Sequence, residues 1–332
     1  MSLEEVAKRA KVSAATVSRV LNNLDVVKSS TRARVIKAVA ELKYHPNLHA
    51  RTLAGGRSRT FGIVVSNMEN PFFFDVFKAL ESSALAVGYE VVAANTDYQP
   101  ERLLSSIRLM IGRRLAGLAV IVSEMDSELQ DLLANQDMPV VFYDVGVPGK
   151  RVTNIRVQYR KGIEKVVQYL HNLGHTRMAF IGHHAKLAPL DERRTAFLDT
   201  VAKYSPHLEV TTEADEDGPE GGRKATRQLL ASGFRPTAII CVNDFTAIGV
   251  LRELRESGFR VPEDISVTGF DNIKLSEFCY PALTTVHIPR ERIGQTVFDG
   301  LLLDKEVQQS AREVLIDPEL VVRDSTGVAP EE

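Results

Sequence analysis

The chain has 332 residues, 44% of them hydrophobic and 25% charged, with a formal net charge of −2 at pH 7. At roughly 100–200 residues per domain, this length predicts two or three domains with a substantial core. No run near the ~20 apolar residues of a membrane span occurs, and the first residues are amphipathic and charged, unlike a secretory signal. We therefore expect a cytoplasmic protein with no membrane partner.

The first 45 residues predict three short helices. Ser2 and Glu5 fit a capping box, in which a hydroxyl and a carboxylate satisfy free backbone N–H groups at a helix start. A break at residues 11–13 leads into a second helix, Ala14 to Leu21, and a third amphipathic segment runs from Thr31 to Leu42. This arrangement is typical of a helix-turn-helix, although an ordinary helical hairpin that binds nothing has a similar pattern.

The distribution of charge favours the helix-turn-helix. Residues 1–59 contain 12 Lys and Arg against 4 Asp and Glu, whereas the remainder contains 29 against 39. A basic head on an acidic body is expected where only one domain approaches the phosphates of DNA.

From Thr60 onward, short apolar runs alternate with amphipathic segments. The runs FGIVV, GLAVIV, PVVFYD, MAFIG and AIICVN have the β-branched composition of strands buried on both faces of a parallel sheet. The two halves of this region follow the same order of elements, which predicts two doubly wound α/β lobes. Parallel sheets bind ligands at the carboxyl ends of their strands, so two facing lobes predict a ligand cleft.

The sequence resembles the LacI/GalR (lactose-repressor) family of bacterial transcription regulators over essentially its whole length. The resemblance is carried by VAKRAKVSAATVSRVLN, YHPNLHARTLA, SNMENPFF, CVND, ISVTGFDN, YPALTTV and LVVRDST. It implies a helix-turn-helix domain at 1–45, a hinge helix and linker at 46–59, and a periplasmic-binding-protein-like body at 60–332. Its lobes would comprise about 60–157 with 289–317, and about 158–288 with 318–328. The crossovers are expected near residues 155–160, 284–290 and 316–321.

The resemblance also implies which residues contact DNA. The candidates are Ser13, Ala14, Ala15, Thr16, Ser18, Arg19, Asn22, Thr31, Asn47, Ala50, Arg51 and Leu53. Alanine side chains offer only methyl contacts, so polar readout in the major groove should fall on Arg19 opposite guanine. Leu53 would wedge into a central base step from the minor groove, or else pack against the body. One departure from the family is Lys11, which stands where the turn commonly carries Gly.

The main effector candidates are Phe72, Asn243 and Asp271, by resemblance and by their place after predicted strands, and Arg193, by resemblance alone. Asn70, Asp144 and His183 are further candidates. A carboxylate and a guanidinium fork recognise adjacent hydroxyls, and an aromatic ring covers an apolar face. Structural alternatives exist, since Asp271 could cap a turn, Arg193 could pair with Asp191 and Phe72 could belong to a core.

The tract EADEDGPE is interpreted as a solvated acidic loop. Many family members carry an aromatic residue there, so its absence predicts an effector smaller or more polar than a typical glycoside.

No sequence feature predicts an enzyme, a metal site or a cofactor. The chain lacks GxGxxG, GxxxxGK[ST] and GxSxG motifs. The adjacent His183 and His184 would point apart on an extended segment and make a poor zinc chelate. Cys241 and Cys279 are predicted to be reduced and largely buried.

Three functional classes were weighed. A solute-binding protein would account for the body alone, and an enzyme for neither part. We therefore predict a dimeric repressor that binds a near-palindromic DNA operator under the control of a small polar effector, such as a sugar or sugar derivative. No leucine heptad follows Ser325, which favours a homodimer over a tetramer. The effector would act as inducer or corepressor according to the state that it favours.

Overall fold

The computed structural model describes residues 2–21, 26–44, 58–146, 151–183, 187–204, 209–302 and 312–331. Within it the chain forms two compact units, Met1–Ser58 and Arg59–Glu332. The part of the chain that the structure describes contains no helix long and apolar enough to cross a membrane.

The first unit, the head, contains helices α1 (Leu3–Ala10), α2 (Ala14–Leu21) and α3 (Ser29–Glu41). The capping box between Ser2 and Glu5 is present, with both reciprocal hydrogen bonds. Lys11 ends α1 in the left-handed conformation at φ 52°, which explains why glycine suits this turn. The third helix begins at Ser29, two residues before the predicted start, because the backbone of Lys28 already accepts its first hydrogen bonds.

A small apolar core holds the three helices of the head together. Its buried members are Val6, Ala7, Ala10, Val17, Val20, Val35 and Ala38. Each helix contributes to this core, so the amphipathic spacing read from the sequence does place one face of each helix inside.

The second unit, the body, alternates strands and helices. Its strands are β1 (Thr60–Val65), β2 (Glu90–Asn95), β3 (Gly117–Ile121), β4 (Val140–Tyr143), β5 (Val152–Val157), β6 (Arg177–His183), β7 (Glu209–Asp215), β8 (Ala238–Cys241), β9 (Ser266–Thr268), β10 (Thr285–His287), β11 (Arg312–Ile316) and β12 (Glu319–Val321). Its helices are α4 (Pro71–Ala86), α5 (Pro100–Gly112), α6 (Ser127–Ala134), α7 (Tyr159–Asn172), α8 (Ala188–Tyr204), α9 (Pro219–Ala231), α10 (Asp244–Glu256) and α11 (Arg290–Leu302), with a 3₁₀ turn at Lys274–Glu277.

Two parallel sheets define two lobes. The first lobe has six strands in the order β11-β5-β4-β3-β1-β2, and the second has four in the order β7-β6-β8-β9. Every pairing within these sheets is parallel. The predicted α/β fold class is thereby confirmed.

One pair of strands departs from the predicted all-parallel pattern. Strands β10 and β12 pair antiparallel, with Val286 opposite Leu320. The reason is topological: β10 leads out of the second lobe towards α11, and β12 returns from the first lobe, so the two segments run in opposite directions.

Apolar side chains fill both faces of the sheets. Phe61, Ile63, Phe142, Phe180 and Ile240 are at most 1% exposed. This double burial is why the strands read as continuous apolar runs rather than alternating ones. Of the two cysteines, Cys241 is fully buried and Cys279 half-buried, and both are free thiols.

We predict opposite effects from two glycine substitutions. A Cβ at Gly294 on α11 would lie 2.4 Å from Ala79 Cβ and 2.8 Å from the Val76 carbonyl oxygen on α4, whereas a Cβ at Gly112 would meet nothing within 4 Å. Gly294→Ala should therefore lower the free energy of unfolding by about 1–3 kcal/mol. Gly112→Ala should raise it by about 0.5–1 kcal/mol through helix propensity. Urea denaturation of both variants checks this, and equal stability of the two would contradict close packing of α4 on α11.

Candidate functional site

A cleft lies between the lobes, where the carboxyl ends of strands from both sheets meet. Its empty space, counted with the solvent at its mouth, is about 450 Å³. The aromatic side chains that line it are Phe72, Phe73, Tyr98, Tyr143 and Tyr159. The polar side chains that line it are Asn70, Ser123, Arg193, Asn243 and Asp271. The four main candidates from the sequence are thus brought together in one space.

Arg193 on α8 is the buried cation of the cleft, with 6% of its surface exposed. Its guanidinium carbon lies 4.2 Å from the ring centre of Tyr159 and 4.7 Å from that of Phe270. Nη1 donates to the Val242 carbonyl oxygen at 2.8 Å, while Nε is buried without a hydrogen-bond partner among the described residues. The alternative ion pair with Asp191 is formed by Arg194 instead. The structure therefore holds Arg193 in place and leaves a donor unused.

Asp271, which follows β9, is the buried anion of the cleft and is 4% exposed. Its backbone is at φ 101°, held by hydrogen bonds with Val286 and Ile288 and by Arg290, which donates to its carbonyl oxygen. Burial raises the pKa of its carboxyl to about 7, against the opposing attraction of Arg193 and Arg290. Among the described residues no donor is bound to this carboxylate, which makes it an available acceptor rather than a cap.

Asn243 and Asn70 each begin a helix. The Oδ1 atom of Asn243 accepts from the Thr246 N–H at 2.7 Å, and that of Asn70 accepts from the Phe72 N–H at 3.1 Å. These capping hydrogen bonds fix the orientation of both side chains in the wall of the cleft. Phe72 is 4% exposed and belongs both to the core of the first lobe and to the wall, so its two interpretations are compatible.

Asp144 and His183 stand beside the cleft and do not line its empty space. The Asp144 carboxylate accepts from the Val157 N–H at 2.8 Å and from the Tyr159 hydroxyl at 2.5 Å. Burial raises the pKa of Asp144 to about 6, although both of these hydrogen bonds act to lower it. His183 packs its ring against Tyr98, with the centroids 5.1 Å apart. Asp144 is therefore placed to orient Tyr159, which in turn faces Arg193.

The sequence reasoning missed three tyrosines and one carboxylate. Tyr98, Tyr143 and Tyr159 supply most of the aromatic wall, and Tyr143 could have been found from its place near the carboxyl end of the predicted strand PVVFYD. Glu124 is 6% exposed and accepts hydrogen bonds from the hydroxyls of Ser66, at 2.6 Å, and Thr96. It thereby joins the ends of β1, β2 and β3 beneath the cleft.

The interpretation of the acidic tract EADEDGPE as a solvated loop is wrong for most of its length. Its first three residues end β7 and its last two begin α9, and Asp217 in the turn between them is not solvated. This half-buried carboxylate accepts three hydrogen bonds, from Asn67, Tyr98 and Asn243. Glu216 beside it is exposed, as predicted. Sequence periodicity could not separate the two residues because the partners of Asp217 lie far away along the chain.

The head presents a second candidate surface. Ala15 and Arg19 on α2 are exposed, whereas Ala14, Thr16, Ser18 and Thr31 are partly buried. Ser13 is exposed, but its hydroxyl bonds with Thr16 Oγ1 at 2.9 Å and accepts from the Thr16 N–H at 3.2 Å, so it also caps α2. The remaining DNA candidates Asn22, Asn47, Ala50, Arg51 and Leu53 lie outside the described residues, as does His184. No group of three or more side chains able to hold a metal occurs in the described ranges.

Comparison with known proteins gives concordant matches for both units. Residues 2–47 match the model of bacterial regulatory proteins of the lacI family, and residues 167–326 match the periplasmic binding protein-like domain. The HTH-type transcriptional repressor PurR of Vibrio cholerae (strain ATCC 39315 / El Tor Inaba N16961) is 35% identical over 331 residues, covering 98% of this chain and 97% of the relative.

Two solved structures extend the comparison. The lac repressor dimer bound to operator and the anti-inducer ONPF superposes with a TM-score of 0.84 at 28% identity, covering 98% of this chain and 99% of that one. A LacI family regulator from Enterococcus faecium with bound ribose has a TM-score of 0.72 at 25% identity, covering 81% of this chain and 99% of that one. With a head and a body of this kind and this similarity over its whole length, the chain belongs to the lacI family of bacterial regulatory proteins and is a DNA-binding transcriptional repressor.

Proposed function

We propose that the protein acts as a homodimer whose binding to a near-palindromic operator is controlled by a small, polar, sugar-like effector in the cleft. The observation that carries the proposal is the pair of polar groups in a buried space. Arg193 Nε is buried and has no acceptor among the described residues, and the Asp271 carboxyl group, on a residue that is 4% exposed, lies in the wall of the same cleft. Buried polar groups are normally satisfied, so a ligand with adjacent donor and acceptor groups is the expected partner.

The walls of the cleft support the same class of ligand. Phe72 and Tyr98 offer ring faces, and Pro189 and Leu190 add an apolar surface. A molecule with one apolar face and several hydroxyls would bury the first against these side chains and bond Arg193 and Asp271 with the second. The bound ribose of the Enterococcus faecium relative belongs to this class.

An exposed apolar surface on the second lobe supports the homodimer. Phe278 and Tyr280 are 73% and 84% exposed, and Leu275 beside them is 47% exposed. Large apolar side chains this exposed and this close in sequence are a candidate interaction surface. The lac repressor relative is a dimer on its operator, and a two-fold dimer reads two half-sites related by the same symmetry.

Control of DNA binding would follow from the position of the cleft. A ligand that binds one spacing of the lobes better than another shifts the protein towards that spacing, and DNA binding changes by the same factor in return. The hinge residues 46–59, with Leu53 as the minor-groove wedge, would carry this change to the operator. Turnover of the effector is not part of the proposal.

The test begins with a ligand screen and a DNA selection. Thermal shift against sugars, sugar phosphates, nucleobases and carboxylates identifies the effector, and selection from a random pool identifies the operator. A gel shift with and without the effector then measures the coupling. An effector that binds without changing operator affinity would contradict the proposal.

For the recognition helix, we expect Arg19→Ala to weaken operator binding by roughly 1–3 kcal/mol and to relax base preference at one symmetric pair of positions. The control is Lys8→Ala, which removes the same charge from the exposed surface of α1. That change should affect operator and random DNA alike. Equal losses on both DNAs for Arg19→Ala would identify Arg19 as a phosphate contact only.

For the cleft, we expect Arg193→Ala to remove the response of DNA binding to the effector while leaving effector-free operator affinity nearly unchanged. Arg194→Ala is the matched control, since Arg194 is exposed and paired with Asp191. Titration of the gel shift with effector measures both. A parent-like midpoint for Arg193→Ala would contradict its role in the clamp.

The pKa of Asp271 gives a pH dependence with a defined sign. With a pKa of about 7 raised by burial, the carboxyl is mostly protonated at pH 6 and mostly ionised at pH 8. Since only the ionised form accepts hydrogen bonds at both oxygens, effector affinity should fall roughly tenfold from pH 8 to pH 6. Calorimetric titration at both values checks this, and Asp271→Asn should abolish the difference.

The free energy of unfolding of the ligand-free protein should respond to pH in the opposite direction from effector affinity: it should fall as the pH rises. The raised pKa means that the native protein holds the Asp271 proton more tightly than the unfolded chain. The stability that this proton confers is fully present below the ordinary pKa of 3.8 and is lost progressively as the pH rises from there to about 7. Asp271→Asn should therefore flatten the slope of the unfolding free energy in this window, as measured by urea denaturation.

A further inference from the structure

One carboxylate connects the two lobes at the edge of the cleft. Asp217 lies in the second lobe, between β7 and α9, and its Oδ2 accepts from Asn67 Nδ2 at 3.1 Å and from the Tyr98 hydroxyl at 2.9 Å, both in the first lobe. Its Oδ1 accepts from Asn243 Nδ2 at 2.9 Å within its own lobe. All three bonds have a charged acceptor, which makes them stronger than bonds between neutral groups.

The backbone around Asp217 is fixed by close packing. Gly218 has φ +98°, and a Cβ there would lie 2.8 Å from the ring of Phe245. A Cβ at Gly221 would lie 1.8 Å from the Glu216 carbonyl oxygen. The loop therefore packs tightly on its own backbone and on α10. This packing fixes the position of the Asp217 carboxylate without a ligand.

Tyr98 is held from two sides by the second lobe. Its hydroxyl donates to Asp217, and its ring lies 5.1 Å from that of His183. Burial, with the nearby Asp217 charge adding to it, raises the pKa of Tyr98 well above its usual range, so the hydroxyl keeps its proton. The hydroxyl has one proton and uses it in the hydrogen bond to Asp217. Towards the cleft Tyr98 can therefore only accept hydrogen bonds.

Asn243 is constrained in the same way. Its Oδ1 is occupied by the Thr246 N–H and one of its amide protons by Asp217, which leaves one N–H for a ligand. Asp217 thus decides what both neighbours offer: an acceptor from Tyr98 and a single donor from Asn243. Asp217 itself does not line the empty space, so it acts through them.

We propose that Asp217 is a positioning residue that latches the two lobes together in the ligand-free protein and sets the hydrogen-bonding polarity of Tyr98 and Asn243 towards the effector. The second part rests on the proposed function, because it presumes an effector in the cleft. The first part does not.

The latch is tested without ligand or DNA, by pulsed electron spin resonance on the full chain. Spin labels at Arg108 on α5 and Gln228 on α9, both exposed, report the spacing of the lobes. Cys279→Ser removes the half-buried thiol, Cys241 is fully buried, and dilution with unlabelled protein restricts the signal to distances within one chain.

Asp217→Asn should produce a second, more separated population of distances. An asparagine has one acceptor oxygen. If that oxygen faces Asn243 the bonds to the first lobe are lost, and if it faces Asn67 and Tyr98 those bonds remain but lose their charged acceptor. Asp217→Ala should shift the population further. Glu216→Gln is the matched control, because it removes the same charge from the exposed neighbouring residue and should keep the parent distribution.

A second variant isolates the bond to the first lobe. Tyr98→Phe removes the hydroxyl but keeps the ring against His183, and it should open the lobes less than Asp217→Ala does, because the bond from Asn67 to Asp217 remains. If the hydroxyl acts only through Asp217, adding Tyr98→Phe to Asp217→Ala should change nothing further. Full additivity of the two changes would overturn the assignment.

Parent-like distances for both Asp217 variants would overturn the latch, and so would an equal change from Glu216→Gln. Neither result bears on the proposed function, because no effector or operator is in the sample. Conversely, a parent protein that selects an operator but shows no response to any bound effector would count against the proposed function alone.

Discussion

The carboxyl ends of the strands of both parallel sheets meet at one cleft. This constrains every polar group there, and the constraint is a demand for hydrogen-bond partners. Each group is removed from water and must find a partner within the protein or in a ligand. Glu124 meets the demand with hydroxyls from two neighbouring strand ends, and Asp244 with Thr285 and the Ile273 N–H. Arg193 does not meet it fully, because its Nε has no partner among the described residues.

The same demand links the cleft to the segments that cross between the lobes. Asp144 at the end of β4 bonds to Val157 and Tyr159, where the chain passes from the first lobe to the second. Arg290, where it passes back, pairs with Asp75 on α4 at 2.9 Å and also donates to the Asp271 carbonyl oxygen. A change in the spacing of the lobes therefore strains contacts that also hold Tyr159 and Asp271. This is the physical requirement for a ligand to bias one spacing over another.

Burial sets the electrostatics of the cleft more than charge pairing does. The pKa of Asp271 rises to about 7 and that of Asp144 to about 6, even though Arg193 attracts both carboxylates. Desolvation outweighs this attraction because the charges lie away from water between aromatic rings. The ionised form of Asp271 is therefore less favourable in the cleft than in water.

Local sequence patterns determined the elements and the fold class. The capping box at Ser2 and the apolar runs of the strands act over a few residues, so their effect can be read directly from the chain. The positions of Phe72, Asn243 and Asp271 after predicted strands also follow from this logic, because parallel strands share one ligand-binding edge. Arg193, within a helix, was identified by the family resemblance alone.

Only the tertiary structure decided which polar groups find partners. Asp217 meets Asn67, 150 positions away, and β10 meets β12 in the antiparallel sense across the return of the chain. The acidic tract was predicted to be solvated because its composition is acidic. Composition describes residues that are adjacent in the sequence and carries no information about partners across a cleft. Asp217 and Glu216 stand side by side with the same charge, yet one is bonded to both lobes and the other is exposed. Burial and long-range contact separate them, and neither quantity is encoded in a local pattern.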